Sequence, residues 1–322
     1  MSKIDQYIQA ATRDNTRQSY QAAVRHFEIE WGGFLPATAD NVANYLAAYA
    51  ATLSLNTLRQ RLAALAQWHI SQGFPDPTKA PVVRKVFRGI QALHPAKEKQ
   101  AKPLQLDQLE NVIRWLEAAI DDARHHSDRK AELHHVRNKA LLLMGFWRGF
   151  RGDELTRLQV EDVTVSPGEG MTCYLSQTKS DRRYQGTSFK TPALSKLCPV
   201  EAFVEWIHVA QLSSGPVFRS IDRWGHMADT GLHEDSLIPI FRAILTNAGV
   251  TSADLYSGHS LRRGFATWAT ANGWDLKTLM EYVGWKNVQS AMRYVDVADQ
   301  FSQQRIESSL SKPSPIRQLS KP

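Results

Sequence analysis

The sequence predicts a mainly α-helical protein with one small antiparallel β-sheet. Apolar residues recur every three or four positions along most of the 322-residue chain, which is the period of an α-helix with one buried face. Apolar and polar residues alternate between short turns in one region only, at 162–190, and this pattern is typical of strands. Hydrophobic residues make up 43% of the chain, enough for ordinary buried cores in one large or two medium domains.

Residues 1–93 are predicted to form a helical domain with four apolar stripes. Thr38 or Asp40 is expected to cap the second helix and Ser54 the third, because their side-chain oxygens can accept from free N–H groups in the first turn. The outer faces of the third and fourth helices are basic. Their candidate ligand-contacting residues are Arg59, Arg61, Arg84, Lys85 and Arg88.

The charge balance is compatible with a polyanionic partner and does not require one. The chain has 39 Lys and Arg against 32 Asp and Glu, a net charge of +7. Residues 1–100 hold 12 basic and 7 acidic residues, a net +5 that leaves +2 for the longer remainder. The N-terminal part is therefore the more basic one per residue.

Several classes of protein are disfavoured by composition. Cys173 and Cys198 are the only cysteines, too few for a disulfide framework or a four-cysteine zinc site. The histidines between 125 and 135 are too sparse to predict a metal site, so we expect no metal and no cofactor. The start lacks a signal-peptide core, and the apolar run 140–147 is far shorter than the roughly 20 residues of a membrane helix. We expect a cytoplasmic protein of a reducing compartment.

Residues 94–104 are predicted to be a linker, because they hold three lysines and two prolines without apolar periodicity. Two interpretations stay open. The segment is either a hinge that lets two domains close around a bound ligand or an ordinary solvated connector. A second domain is predicted at 105–310. The Ser-, Lys- and Pro-rich end, 311–322, is predicted to be disordered.

The first chemical motif is Gly-Phe-Arg-Gly-Asp-Glu-Leu at 149–155. Arg151 precedes Glu154 by three residues at a predicted helix start, so this carboxylate can orient a guanidinium group whose planar fork suits a phosphate. A plain helix pair is the alternative interpretation. Asp153 is a second candidate partner for the arginine, although the spacing favours Glu154.

The second motif lies in the predicted β-meander, with strands at 162–165, 171–177 and 186–190. The turn before the last strand carries Lys179, Arg182 and Arg183. A lysine can donate a proton in catalysis, whereas a guanidinium group does not deprotonate usefully. Taken alone, a hairpin lysine is most often merely exposed to solvent.

The third group lies near the C-terminus. His259 and Arg262, in Gly-His-Ser-Leu-Arg, are three apart and share one face of a predicted helix. Trp285 follows in a Gly-Trp-Lys-Asn turn, and Tyr294 lies nine residues later on a short predicted helix that starts near Gln289. Taken singly, these are a surface pair, a core tryptophan and a packed tyrosine.

In this order and spacing, the three groups resemble the motif set of the tyrosine recombinases, the phage integrase family, in a simple Cre-like two-domain layout. The resemblance implies a helical core-binding (SAM-like) domain at 1–93 and a tyrosine-recombinase catalytic domain at 105–310. One departure is that Gly152 and Asp153 follow Arg151, where many relatives have an aliphatic residue and a serine.

The resemblance implies a site-specific DNA recombinase that cuts and rejoins strands through a 3′-phosphotyrosyl intermediate. Such an enzyme serves the integration, excision or resolution of a mobile element or replicon, without metal or ATP. Its expected partners are double-stranded DNA with specific recombination sites and further copies of the chain, a homodimer on each site and a homotetramer in synapsis. A bacterial or phage-encoded, nucleoid-associated protein is expected. The implied catalytic residues are Arg151, Lys179, His259, Arg262, Trp285 and the nucleophile Tyr294, with Glu154 in support.

The basic residues outside this set are expected to contact DNA phosphates, which fix the register of a protein on a duplex. They comprise the N-terminal group together with Arg182, Arg183, Arg219 and Arg223, the last two in a predicted loop. A predicted helix at 295–310 either docks on a neighbouring protomer or packs on its own domain. The alternative functions are DNA relaxation like that of a type IB topoisomerase, and a non-catalytic DNA-binding regulator.

Overall fold

The computed structural model describes residues 3–12, 14–95, 100–178, 181 and 185–295. The chain forms two compact units, Met1–Lys99 and Gln100–Pro322, and their boundary falls inside the predicted linker. The described residues are mainly helical with small antiparallel sheets, which confirms the predicted fold class.

The N-terminal unit is a small helical assembly around one apolar core. The predicted caps form, since Thr38 Oγ1 accepts from the Asn41 amide at 3.2 Å and Ser54 Oγ accepts from the Thr57 amide at 3.1 Å. The first helix of this unit, at residues 3–10, corresponds to none of the four predicted stripes. The helices are α1 (Lys3–Ala10), α2 (Asp14–Arg25), α3 (Ala39–Ala48), α4 (Leu55–Ser71) and α5 (Pro81–Leu93).

The prediction that Arg61 lies on the outer face of α4 is wrong. Its side chain is half-buried, and Nη1 donates to the Ala22 carbonyl of α2 at 3.0 Å. This carbonyl lies just before a π-helical turn, His26–Glu30, where the backbone hydrogen bonds change register. Arg61 therefore holds two helices together, and periodicity alone could not show that α2 packs against this face.

The C-terminal unit is built around one long buried helix, α7. Most side chains along its second half are buried, and it packs against α6, α9 and α11. About 30 Å long at 1.5 Å per residue, α7 ends at the edge where the arginine motif begins. The helices of this unit are α6 (Leu106–His125), α7 (Arg129–Arg148), α8 (Gly152–Thr156), α9 (Pro199–Ala210), α10 (Glu234–Asn247), α11 (Gly258–Ala271), α12 (Leu276–Val283) and α13 (Val288–Val295).

The predicted meander is present as a three-stranded antiparallel sheet in the order β1-β2-β3. The strands are β1 (Val163–Ser166), β2 (Gly170–Leu175) and β3 (Thr187–Pro192). Cys173 of β2 lies opposite Phe189 of β3, which places this ring on the buried face of the sheet. The β2–β3 connection holds the predicted lysine turn.

The loop predicted around Arg219 and Arg223 is instead a β-hairpin, so this prediction was wrong. Strand β4 (Arg219–Ile221) pairs with β5 (Met227–Gly231). Asp222 Oδ1 accepts from the Trp224 and His226 amides at 2.8 and 2.9 Å and so closes the turn. A three-residue strand is too short to show an alternating pattern in the sequence.

Part of the predicted linker belongs to the C-terminal unit. The Lys102 amide donates to the Leu255 carbonyl and the Leu104 amide to the Ser260 carbonyl, both at 3.0 Å, and Leu104 is fully buried. A Cβ on Gly264 would lie 2.0 Å from the Leu104 carbonyl oxygen, so this close approach requires glycine.

The predicted helix at 295–310 and the tail at 311–322 lie beyond the described residues, apart from the last residue of α13. Among the described helices, none combines the length and apolar character needed to cross a membrane.

Candidate active site

Arg151 and Glu154 are joined at the start of α8. Arg151 is the N-cap residue, and its backbone amide donates to Glu154 Oε2 at 2.8 Å. Its Nη1 donates to Oε1 of the same carboxylate at 2.5 Å. One glutamate thus satisfies a free helix N–H and orients the guanidinium group, because position N3 faces back toward the cap. The Arg151 side chain remains 20% exposed, so part of its fork stays accessible.

Arg262 approaches the same carboxylate from α11. Its Nη1 lies 3.6 Å from Glu154 Oε2 and donates to the Gly149 carbonyl at 2.9 Å. Its Nη2 donates to the Val283 carbonyl at the end of α12, at a longer 3.3 Å. Arg262 is only 1% exposed. Two guanidinium groups that are distant in sequence therefore converge on one buried glutamate.

Asp153 has a different partner. Its Oδ2 accepts from Arg157 Nη2 at 2.9 Å, and the two side chains form an i,i+4 pair on a half-exposed face of α8. The structure thus answers the question that the sequence left open: Glu154, and not Asp153, contacts Arg151. The departure from the usual residue after the arginine does not disturb the pair.

Trp285 lies directly after a helix stop. Gly284 adopts φ 76° at the end of α12, and the Trp285 amide donates back to the Met280 carbonyl at 2.8 Å, as in a Schellman motif. The indole is buried, with its ring centroid 5.1 Å from the Arg262 guanidinium carbon. Trp285 therefore belongs to the arginine cluster.

His259 lies in the first turn of α11, one turn before Arg262. Ser257 caps this helix, since its Oγ accepts from the His259 amide at 3.3 Å. The Ser257 amide in turn donates to Ser260 Oγ at 2.9 Å. The predicted sharing of a face is only partial, because the His259 side chain is exposed whereas that of Arg262 is buried. His259 lies at the rim of the cluster.

Lys179, Arg182 and Arg183 lie outside the described residues. Thr178 and Asp181, which stand before and after residues 179–180 in the chain, are described. Thr178 and Asp181 are both buried, and the Asp181 amide donates to the Thr178 carbonyl at 3.0 Å. Asp181 Oδ2 also accepts from the Gly186 amide at 2.9 Å, which joins the two sides of the β2–β3 connection.

The backbone of Tyr294 lies in α13, and its side chain is outside the described part of the structure. Helix α13 packs against α11 and α12. Its Ala291, three residues before Tyr294, is fully buried. The helix that carries the tyrosine therefore contacts the helix that carries Arg262 and the one that leads to Trp285.

Sequence reasoning did not single out Arg148. It ends α7, is 5% exposed, and lies between two aromatic rings. Its guanidinium carbon is 4.1 Å from the Tyr282 ring centroid and 4.9 Å from that of Phe189. Burial lowers the pKa of Arg148 and raises that of Tyr282. The sequence feature that could have indicated it is an arginine at the end of an apolar run, three residues before Arg151.

Residues 102–300 match the family model described as the phage integrase family, which is well over half of the chain. The chain belongs to the phage integrase family. The match includes both arginine motifs, the β-sheets and the helix that carries Tyr294.

Curated relatives extend the similarity beyond the matched segment. An integrase/recombinase xerD homolog of Selenomonas ruminantium is 28% identical over 320 residues, covering 96% of this chain and 89% of that protein. Recombinase cre of Escherichia phage P1 is 26% identical over 275 residues, covering 81% and 77%. Both alignments are too long to be confined to the C-terminal unit.

Solved structures of other members share the fold. The Tn1549 transposon integrase in complex with circular intermediate DNA matches with a TM-score of 0.61 at 17% identity, over 93% of this chain and 94% of that one. The XerH site-specific recombinase bound to palindromic difH substrate, a post-cleavage complex, matches with a TM-score of 0.60 at 18% identity, over 91% and 78%. Identities this low establish the fold alone.

In this family member, the basic candidates of the N-terminal unit form a patch on α4 and α5. Arg59, Arg84, Lys85 and Arg88 are all exposed. Arg59 lies over the Phe87 ring of α5 at 5.6 Å, which brings α4 and α5 together at this point. Arg84 is partly engaged, since its Nη2 donates to the Lys79 carbonyl at 2.7 Å.

Arg219 and Arg223 lie away from the arginine cluster. The guanidinium group of Arg219 donates to the Ser214 and Pro216 carbonyls and pairs with Asp229 within its own hairpin. The Arg223 guanidinium carbon lies 4.0 Å from the ring of the exposed Trp224 at the hairpin tip. This tip abuts Lys130, as a Cβ on Gly225 would lie 3.0 Å from the Lys130 Cβ. Lys130 precedes Arg148 by 18 residues of α7, or roughly 27 Å.

We expect Glu154→Gln to destabilise the C-terminal unit far more than Asp153→Asn. The glutamine leaves two buried or half-buried cations without a carboxylate, a loss of about 2–4 kcal/mol in the free energy of unfolding. The asparagine breaks only a half-exposed pair, worth about 0–1 kcal/mol. Urea unfolding followed by tryptophan fluorescence measures both, since seven of the nine tryptophans lie after residue 100. Equal small effects would contradict the central position of Glu154.

Proposed function

We propose that the chain is a site-specific DNA recombinase in which Arg151 and Arg262 bind the scissile phosphate and Tyr294 attacks it. The observation that carries this proposal is the convergence of two guanidinium groups on Glu154. A carboxylate that is buried and fully engaged with arginines preorganises positive charge at one place. A phosphodiester that gains negative charge in the transition state is the ligand that this arrangement suits.

In the proposed reaction, the phenol oxygen of Tyr294 attacks phosphorus and the bond from phosphorus to the 5′ oxygen breaks. This leaves a 3′-phosphotyrosyl enzyme and a free 5′-hydroxyl. Lys179 gives a proton to the departing 5′ oxygen, and His259 at the rim accepts the tyrosine proton and bonds a phosphate oxygen. Attack by the 5′-hydroxyl of a partner strand then reverses the step and releases the tyrosine.

To reach the phosphate, Arg262 must exchange one of its hydrogen-bond acceptors, because its side chain is buried in the free protein. Its bond to the Val283 carbonyl, 3.3 Å, is longer than its bond to the Gly149 carbonyl, 2.9 Å. We propose that a phosphate oxygen replaces the Val283 carbonyl when DNA binds, while Gly149 and Glu154 keep the guanidinium group in place. The indole of Trp285 is a donor only, and it would bond a second non-bridging oxygen.

Neither metal nor ATP is needed for this proposed chemistry. The two guanidinium groups provide the positive charge that a pair of Mg²⁺ ions provides in other phosphoryl-transfer sites. The phosphotyrosine retains the energy of the broken phosphodiester, so rejoining needs no external energy source. Cleavage assays in excess EDTA are therefore expected to proceed.

The basic patch of the N-terminal unit, on α4 and α5, is proposed to contact the phosphate backbone. Its exposed members are Arg59, Arg84, Lys85 and Arg88, and such contacts set register without reading sequence. Arg182 and Arg183, which follow the lysine by three and four residues in the sequence, are proposed to bind phosphates close to the scissile one. The element served is proposed to be a mobile element or a replicon in a bacterial nucleoid, by integration, excision or resolution.

Tyr294→Phe is expected to abolish covalent attachment while leaving DNA binding intact. The substrate is a DNA duplex that contains a specific recombination site. It is nicked near the scissile phosphate, so that religation is prevented. Wild-type protein should form a protein–DNA adduct that survives denaturing electrophoresis, and the variant should form none. Adducts that persist in the variant would refute the assignment of the nucleophile.

Lys179→Ala is expected to slow cleavage about 10²–10⁴-fold, the usual contribution of a positioned acid. A 5′-bridging sulfur leaves without protonation, so DNA with this single substitution should be cleaved by the variant nearly as fast as by wild type. Single-turnover rates on the oxygen and sulfur substrates make the comparison. If sulfur gives no rescue, Lys179 is not the acid.

Exchange between two duplexes requires four tyrosines, which predicts two protomers on each site and four in the synaptic complex. Sedimentation of the Tyr294→Phe variant with a one-site duplex, at increasing DNA concentration, should show the two-protomer complex and then a species with four protomers and two duplexes. A complex that stays at one protomer per site at saturation would contradict this assembly.

A further inference from the structure

Arg148 is a buried cation that the proposed chemistry does not use. It is 5% exposed, and within the described part of the chain its Nε and Nη1 have no hydrogen-bond partner. Burying a charge while leaving donors unpaired opposes folding. Its contacts with the Phe189 and Tyr282 rings and its side-chain hydrogen bond with Tyr282 favour the folded state, but an apolar side chain could fill the same place without the charge. Stability alone therefore does not explain an arginine at this position.

The two rings lie on elements that adjoin segments with other site residues, since Lys179 precedes β3 and Trp285 follows α12. Phe189 lies on β3, two residues after the strand begins, and so borders the connection that holds Lys179. Its ring also packs on Phe150 at 5.3 Å, next to Arg151. Tyr282 lies on α12, two residues before Gly284, and its ring stacks on Phe265 of α11 at 5.2 Å.

A guanidinium group is suited to hold two such elements at once. It is flat, so each face can lie on one aromatic ring, whereas the ammonium group of lysine presents no face. Phe189 is buried and Tyr282 is half-buried, so the contacts are largely shielded from water. The Arg148 side chain thereby links β3 and α12 to the end of α7.

We propose that Arg148 is a positioning residue that holds the β2–β3 hairpin so that Lys179 meets the leaving oxygen of the phosphate bound by Arg151 and Arg262. This inference rests on the proposed function, and in particular on the acid role of Lys179. It follows that loss of Arg148 affects the step that needs the acid, and spares phosphate binding and the nucleophile.

The test compares single-turnover cleavage of the oxygen and 5′-sulfur substrates by wild type and by the Arg148→Met, Arg148→Lys and Lys179→Ala variants. Methionine fills the site without charge, and we expect cleavage of the oxygen substrate to fall about 10–100-fold, as when a reacting group is misplaced by about 1 Å. The sulfur substrate should be cleaved at nearly the wild-type rate. Arg148→Lys keeps the cation without the flat group. Its rate on the oxygen substrate should lie between those of wild type and Arg148→Met.

Arg137→Met is the matched control, since Arg137 lies in the same helix and is 2% exposed. Its guanidinium group donates to Asn138 and to the Arg219 carbonyl, far from the proposed site. This variant should lose thermal stability and cleave both substrates at the wild-type rate below its Tm. Arg148→Met should keep its Tm within about 4 °C of wild type, because it removes a buried charge of which two nitrogens have no partner.

Equal slowing on both substrates by Arg148→Met, or no slowing on either, overturns the inference. If Lys179→Ala is rescued by sulfur and Arg148→Met is not, the positioning role alone fails and the proposed function stands. If wild type forms no adduct, or sulfur does not rescue Lys179→Ala, the proposed function fails and this inference fails with it.

Discussion

The structure of the site depends on the carboxylate of Glu154. It accepts from the backbone and the side chain of Arg151, and its second oxygen faces Arg262 from a helix more than a hundred residues later. Two guanidinium groups repel each other, so they stay together only if an anion lies between or beside them. Glu154 serves as that anion in the free protein. A phosphate brought to the same place would find the arginines already assembled, which lowers the reorganisation needed during the reaction.

The end of α7 determines where this assembly forms. Gly149 turns the chain with φ 61°, and its carbonyl is the closest acceptor for Arg262. Any larger residue there would approach Val283, since a Cβ would lie 3.3 Å from its Cγ1. The residue before the turn, Arg148, reaches the sheet and α12, and the residue after Phe150, Arg151, caps α8. Four consecutive residues therefore connect the central helix to α8, α11, α12 and the sheet.

Residues that are neighbours in one sequence motif differ in burial and in the partners they contact. His259 and Arg262 belong to one motif, yet the first is exposed at the rim and the second is enclosed. The same is true of Arg59 and Arg61, two apart on α4, of which one faces solvent and the other bonds to α2. Asp153 and Glu154 are adjacent acids with different partners. In each case the contact was decided by an element that is distant in sequence.

By itself, the sequence determined the helical fold class, the three-stranded meander, the caps at Thr38 and Ser54, and the motifs that identify the family. These depend on local spacing, because an amphipathic period, a capping oxygen or a Gly-Trp helix stop acts within a few residues. Only the tertiary structure decided that Glu154 joins both arginines, that Arg148 lies between Phe189 and Tyr282, that Leu104 belongs to the C-terminal unit, and that residues 219–231 form a hairpin. Each of these results from packing between segments separated by many residues, and no local pattern records which surfaces meet.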